Sequence, residues 1–409
     1  MHWFLVFLFL LVDAHAATTL KDAFTSARLN MENIRRADAV IEQKEEREKR
    51  ARAAMLPTIN GVGTYTRIEP PDAAGASPFL LTRQYSAAIR LSQPLLRGGT
   101  FSGYQFAKED VLLSKFQKEV TDLNLYQLVI SSYYSLMVAQ NDQKNLIELQ
   151  KFSSERVKEL RERTSVGRSR RGELVQAEAQ LLTADSQFQQ GSINLQRAEK
   201  TFTFYTNLPP GELAAPTDLP KEIQPLQEMV NRVRSRPDIM ATQQQVKLAE
   251  SQVEISKGAH YPSLDLIGNY YLTRTGILAT SDWDLGLAVV IPLFQGGGVQ
   301  AAVRESVQMK NVAVLDSSQT LRIAERDLAV NYQNYVQIHE QLNTLKLALE
   351  KAEEAYKLNR RDYQYGQVTN LDVLTSLNLF IETKRSYQNL YSLAHMAHKN
   401  LEASIGVLP

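Results

Sequence analysis

The chain has 409 residues, with 46 lysines and arginines against 45 aspartates and glutamates, and it contains no cysteine. A formal net charge of +1 argues against nucleic acid as a partner. The missing thiols exclude disulfides, thiolate nucleophiles and a lipid-modified N-terminal cysteine.

Met1 to Ala16 reads as a secretory signal peptide: an apolar run from Trp3 to Val12, then Ala14-His15-Ala16, with cleavage expected near Ala16/Ala17. The run has half of the ~20 residues that a membrane-spanning helix needs. No later apolar stretch approaches that length, so a membrane protein of this sequence would have to cross as strands. The first helix of the mature chain carries Glu45/Lys49, Glu46/Arg50 and Glu48/Arg52, i,i+4 pairs that predict a solvated face.

From there the chain is one pattern written twice. Arg52-Ala-Ala-Met-Leu-Pro57 returns as Lys257-Gly-Ala-His-Tyr-Pro262, and Gln93-Pro94-Leu-Leu-Arg-Gly98-Gly99 returns as Ile291-Pro292-Leu-Phe-Gln-Gly296-Gly297. Val166-Gly167 with Glu173-Leu174 returns as Tyr365-Gly366 with Asp372-Val373. Each half reads as helix, strand, strand, long helix, turn, long helix. This divides the chain into a signal peptide (1–16), a first repeat (17–205), a proline-rich connector (206–226) and a second repeat (227–409).

The strands show a period of two. Leu264, Leu266, Gly268, Tyr270 and Leu272 alternate with polar residues, and Trp283, Leu285, Leu287, Val289 and Ile291 form the matching face downstream. Tyr85, Ala87, Ile89 and Leu91 do the same in the first half, while Thr58 to Ile68 alternates more weakly. A strand of ~10 residues, apolar on one side and aromatic at its ends, suits a membrane barrel, although a half-buried strand of a soluble sandwich alternates identically. Four strands cannot close a cylinder, since the smallest outer-membrane barrels have ~8. Either the sheet is a small soluble one or several chains pool their strands.

Each strand pair is followed by a helical stretch without proline, Phe101 to about Thr164 and Val299 to about Tyr363, long enough at ~1.5 Å per residue to reach about 100 Å. Phe116, Val120, Leu123, Tyr126, Ile130, Tyr133 and Met137 step by three and four, as a packed seam does. Gly167 and Gly366 turn each long helix into a second, ending near Tyr205 and Ile405, which predicts helical hairpins. The connector holds Pro209, Pro210, Pro216, Pro220 and Pro225. The strand-to-helix turns at Pro94, Gly98, Gly99, Pro292, Gly296 and Gly297 are expected to let the backbone bend sharply.

No catalytic constellation, cofactor motif or metal site is apparent. His339-Glu340 is followed by Asn343, so the second histidine of a zinc-protease motif is missing, and the glycines at 296–298 lack the Lys-Ser/Thr of a phosphate loop. His395 and His398 are expected to be a surface pair.

In this order the strand entries at Pro57 and Pro262, the two strand-to-helix turns and the tip Tyr365-Gly366-Gln-Val-Thr-Asn-Leu-Asp372 resemble the TolC family of outer-membrane efflux and secretion channels, over essentially the whole mature chain. The resemblance implies a mainly helical fold with a small β part. Three protomers would donate four strands each to a 12-stranded outer-membrane barrel, and their helices would continue as a hollow periplasmic tube. It also implies a homotrimer, a periplasmic adaptor, an inner-membrane pump of the RND or ABC type, and outer-membrane lipid as partners. The adaptor would meet the tips at Val166, Gly167, Arg168, Tyr365, Gly366 and Gln367. Asp372 and Glu173 fall at equivalent repeat positions and are gate candidates, six carboxylates in a trimer that would favour cations; each also suits the first turn of a helix as a dipole partner. The sequence departs from relatives gated by paired acids, with Thr375 at the second acid's place and Val368 where some carry an arginine, while the first tip has Arg168, Arg170 and Arg171. The rival reading is a soluble, secreted coiled-coil scaffold whose sheet is only a cap.

Overall fold

A computed structural model describes residues 17–69, 83–216, 219–220, 224–276 and 279–409; the signal peptide expected at Met1–Ala16 lies outside them. The described residues form two compact units, one from within 17–35, 120–236 and 323–409, the other from within 36–119 and 237–322. The two longest helices, α3 (Thr100–Ser165) and α7 (Gly298–Gln364), contribute to both.

The second unit holds α2 (Glu32–Ala53), α6 (Pro237–Gly258) and the sheet. Its strands are β1 (Thr58–Arg67), β2 (Arg83–Leu96), β3 (Ser263–Arg274) and β4 (Trp283–Val290), antiparallel in the order β1-β2-β3-β4. The weakly alternating stretch is thus a full strand: Thr64 and Ser86 share a 2.7 Å hydroxyl hydrogen bond across β1 and β2. A bulge between Ala87 and Ala88 steps over Leu272 in the β2–β3 ladder, and local twist increases at such a bulge.

The charges on α2 pair mostly across elements, not along the helix as expected. Glu45 meets Lys115 of α3, Lys44 meets Asp110 at 2.6 Å, Asp38 meets Lys118, and Lys49 turns to Glu46 one turn back. A neighbouring helix within reach outcompetes an i,i+4 pair worth only a few tenths of a kcal/mol.

The first unit holds α1 (Leu20–Asn30), α4 (Arg171–Thr206), α5 (Leu226–Val233) and α8 (Asn370–Ser404). Its main core gathers Phe24, Leu123, Tyr126, Ile130, Tyr133, Met137 and Phe202, so the 3–4 seam of α3 is core from Leu123 onward, while Val120 is half-buried, as is Phe116 in the second unit. The connector packs here: Leu213 enters that core, and Thr18 and Leu213 form a parallel bridge steadied by the Tyr133 hydroxyl, which donates to Thr18 O at 3.0 Å and Ala214 O at 3.2 Å. Burial pushes the Tyr133 phenol up to about 12.

His395 and His398 are not a surface pair. His395 is buried, stacked on Tyr134 and edge-on to Tyr391, and His398 lies against Tyr335; burial lowers the His398 pKa against the opposing pull of Glu402. Their spacing of three placed both on one helix face, and that face packs inward.

Candidate functional site: an amphipathic sheet and two helical tips

The apolar face of the sheet collects Ile59, Gly61, Gly63 and Tyr65 of β1, Ile89 and Leu91 of β2, Leu264, Leu266, Gly268 and Tyr270 of β3, and Trp283, Leu285, Leu287 and Val289 of β4, in register. Among these, Ile59, Tyr65, Trp283, Leu285 and Leu287 are each at least 60% exposed, so no layer among the described residues covers them. A band this size stays in water only at a large free-energy cost, about 25 cal/mol per Å² of apolar surface. Tyr65 faces Tyr85 and Tyr270 faces Trp283 at one end of the band, the aromatic border found where a barrel meets lipid headgroups.

The opposite face is a polar ladder. Arg90 Nε donates to Asn269 Oδ1 at 2.9 Å, Asn269 Nδ2 donates to Asp284 Oδ1 at 2.8 Å, and the Tyr271 hydroxyl donates to Asp284 Oδ2 at 2.7 Å. Arg97 and Asp265 add an ion pair at 2.9 Å. A soluble sandwich puts its apolar face inside; here the apolar face is bare and the polar face is tied together, the inverse expected of a sheet with lipid on one side and water on the other.

Glycine fixes the exits from this sheet. Gly99 and Gly297 sit at φ 82° and 81°, the left-handed region that favours glycine. Gly98 lies so close to the end of α6 that a Cβ there would meet the Gly258 carbonyl carbon at 2.8 Å and its oxygen closer still. Pro94 stands in β2 opposite Asp265, at a second register irregularity, where a missing N–H does least harm. Leu293 and Phe294, just past Pro292, are 91% and 89% exposed.

The tips belong to the first unit and are twins. Gly167 (φ 73°) and Gly366 (φ 71°) follow α3 and α7, and the residue after each closes the helix by donating five residues back: Arg168 N to Arg163 O at 2.7 Å, Gln367 N to Asp362 O at 3.0 Å. Val166 and Tyr365 are left exposed at the turn. The entries into the return helices differ. Thr369 and Asp372 form a reciprocal cap, with the Asp372 carboxylate accepting from Thr369 N at 2.8 Å and from its hydroxyl at 2.6 Å. Those hydrogen bonds, the hydroxyl's first, hold the exposed Asp372 carboxyl below the ordinary carboxylate range. Glu173 instead accepts from the Ser169 hydroxyl, and Arg170 makes no side-chain cap. Asp372 therefore caps the first turn of α8, whereas Glu173, in the first turn of α4, is held by Ser169 and caps no backbone N–H.

One cluster escaped the sequence reading. Arg156 of α3 is buried, stacks 3.9 Å above the Tyr363 ring of α7, donates to Asn370 Oδ1 of α8 at 2.8 Å and pairs with Glu159 at 2.7 Å. Around it Val157, Leu160, Ala177, Tyr363 and Val373 pack together, tying both hairpins at the tips. Among the described residues no group of three or more acidic or histidine side chains could hold a metal, and no helix is long and apolar enough to cross a membrane.

A sheet with one bare apolar and one polar face, leading into paired helical hairpins, defines a subunit of a membrane channel built on strands. The chain belongs to the outer membrane efflux protein family, whose model matches residues 24–208 and 232–407. It is 25% identical over 387 residues to the outer membrane efflux protein BepC of Brucella suis, covering 90% of this chain and 80% of that protein. It is 24% identical to the pyoverdine export outer membrane protein OpmQ of Pseudomonas aeruginosa, covering 96% and 85%. In fold it is similar to the outer membrane protein VceC of Vibrio cholerae, with a TM-score of 0.82 at 18% identity over 95% of this chain and 96% of that one. It is therefore an outer-membrane efflux or secretion channel protein, and the scaffold reading is set aside.

Proposed function

We propose that three copies of this chain pool their strands into one 12-stranded barrel and their hairpins into a periplasmic tube, through which substrate moves passively outward. The observation that carries this is the four-stranded sheet with one bare apolar face and two open edges, β1 and β4: pooling strands satisfies the edges and places the face in lipid. No catalytic step or cofactor enters the role. The tips at Val166, Gly167, Arg168, Tyr365, Gly366 and Gln367 would receive a periplasmic adaptor coupled to an inner-membrane pump, of the RND or ABC type. Energy would come from that pump.

Glu173 and Asp372, one in each twin tip, would supply a ring of six carboxylates favouring cations. The capping role of Asp372 does not compete with this, because its carboxylate remains exposed while it accepts from Thr369. In planar bilayers Asp372→Ala together with Glu173→Ala is expected to weaken cation preference and block by multivalent cations. Unchanged conductance and block would remove the gate assignment and leave Asp372 as a cap and Glu173 as the partner of Ser169. For the adaptor contact, Val166→Glu tests the turn without touching Gly167, whose positive φ makes any side chain strained. Export should fail while the oligomer stays at normal abundance; unimpaired export would exclude Val166 from the contact.

A further inference from the structure

The bare face of the sheet changes character at the end away from the helices. On β1 it runs through Ile59, Gly61, Gly63 and Tyr65, and the same two-residue period puts Arg67 next; on β2 it puts Arg83 next to Tyr85. The β1–β2 ladder is unbroken here, with Tyr65 opposite Tyr85 and Arg67 opposite Arg83, while Thr64 and Ser86 meet on the other face. Opposed side chains of an antiparallel pair have Cβ atoms ~4.5–5.5 Å apart, and like charges set there repel. Among the described residues no carboxylate offsets this pair: both arginines are exposed, and Glu69, close by in sequence, forms no ion pair with either. The second repeat treats its arginine differently. The bulge that steps over Leu272 turns the rest of β3 by one face, so Arg274 lies opposite Ser86 on the polar side. Its guanidinium sits 4.1 Å above the ring of Tyr271, whose hydroxyl donates to Asp284. One arginine at this rim is thus led to the polar side and given a partner, and two are left side by side on the apolar side.

We propose that Arg67 and Arg83 together form a receptor for a phosphate of lipid A, the glycolipid headgroup of the outer leaflet, docked against the wall of the barrel. This rests on the pooled-barrel reading above, which sets the face in lipid, and adds the lipid that the face selects. Placement along the strands argues for the source. Tyr65, Tyr85, Tyr270 and Trp283 mark the headgroup level, and the arginines stand two residues beyond the tyrosines, about 7 Å along the strand, in the phosphate layer. They lie at the end of the strands remote from the helices, which is the external end when the helices are periplasmic, and lipid A phosphates line that side of an outer membrane. The helical end of the same face closes on Ile59 and Leu91, without a charge, so no matching receptor faces the phospholipid of the inner leaflet. A guanidinium presents a planar fork that fits phosphate oxygens, and one anion shared by two arginines turns their repulsion into attraction.

The probe is bisphosphorylated lipid A, added to the detergent-purified oligomer, with bound lipid counted by native mass spectrometry and the dissociation temperature of the oligomer read alongside. Lipid A should bind the unsubstituted protein and raise that temperature. Arg67→Gln with Arg83→Gln should weaken binding by at least about tenfold, the loss of two charge-assisted contacts. Arg274→Gln, on the polar face, should bind lipid A as the unsubstituted protein does. Without lipid A the effect on stability reverses: with the repulsion removed, Arg83→Gln should dissociate at the same temperature or higher, which an arginine that merely braced the fold would not allow. Arg83→Gln alone also serves should the double variant fail to assemble, and weaker lipid A binding is expected of it. Unchanged lipid A binding in these variants would overturn the site. Equal binding of phosphatidylglycerol, or displacement of lipid A by millimolar inorganic phosphate, would overturn the choice of lipid A. If the unsubstituted chain is itself monomeric, the barrel reading falls and takes this one with it.

Discussion

Gly98→Ala isolates the contact on which the joint between sheet and helices depends. The added Cβ would lie 2.8 Å from the Gly258 carbonyl carbon, closer to the oxygen, and 3.2 Å from the Tyr261 Cβ. Carbon atoms in ordinary contact stand ~3.5–4.0 Å apart, so the turn and α6 must separate by about an ångström. The obstacle is backbone, and no rotamer change relieves it. Overpacking a tight site costs typically 1–3 kcal/mol, and a clash with main chain falls at the upper end, about 3 kcal/mol. Gly103→Ala and Gly286→Ala are the matched controls, because nothing lies within 4 Å of a Cβ at either position. They should change stability by no more than about 1 kcal/mol. The assay is the temperature at which the oligomer dissociates in a heat-modifiability gel, with oligomer abundance in the membrane measured alongside. Gly98→Ala should lower both well below the controls, and Gly258→Ala should do the same. If Gly98→Ala matches Gly103→Ala, the close backbone approach is not a feature of the folded protein.

Leu285→Arg places a charge on the bare apolar face and should cost about 2–4 kcal/mol if it faces the middle of the bilayer, seen as reduced insertion, whereas Asp284→Asn on the polar ladder should assemble normally and alter ion selectivity. The Asp372 carboxyl is held below its ordinary value, so the cap it makes with Thr369 is fully present above that ordinary value and is lost as pH falls through the lowered one. Amide exchange at the start of α8 should accelerate below about pH 4, and Asp372→Asn should remove most of that dependence. The Tyr133 phenol is raised, so its contribution is complete below the ordinary tyrosine range and is lost as pH rises from about 10 towards 12. Tyr133→Phe should flatten that part of an alkaline titration followed by tyrosinate absorbance, and should cost about 1 kcal/mol at neutral pH for its hydrogen bonds to Thr18 and Ala214.

What could be read without coordinates was what neighbours in sequence determine. Alternation placed β3 and β4 to within a residue or two, and the glycines at 167 and 366 marked both tips because a left-handed residue after a long helix closes it. Strand β1 read weakly because Gly61 and Gly63 stand on its apolar face where side chains would have announced it. The Arg156 cluster left no local trace: its partners, Tyr363 and Asn370, lie in the other repeat, and an arginine in a charged helix looks like any other. His395 misled for the same reason, since the burial of its face is decided by Tyr134 on another helix. The Gly98–Gly258 approach was half visible, as two glycines at landmark positions; that they touch follows only from the fold.

The account stands or falls on whether this sheet meets lipid as part of a pooled barrel. Cell envelopes should be fractionated, the outer membrane washed with urea, and the detergent-extracted protein examined unboiled and boiled, then reconstituted in planar bilayers. A urea-resistant, heat-modifiable oligomer of the outer membrane that gives discrete single-channel steps is the predicted result. A monomer that dissolves without detergent and leaves the bilayer silent would contradict it.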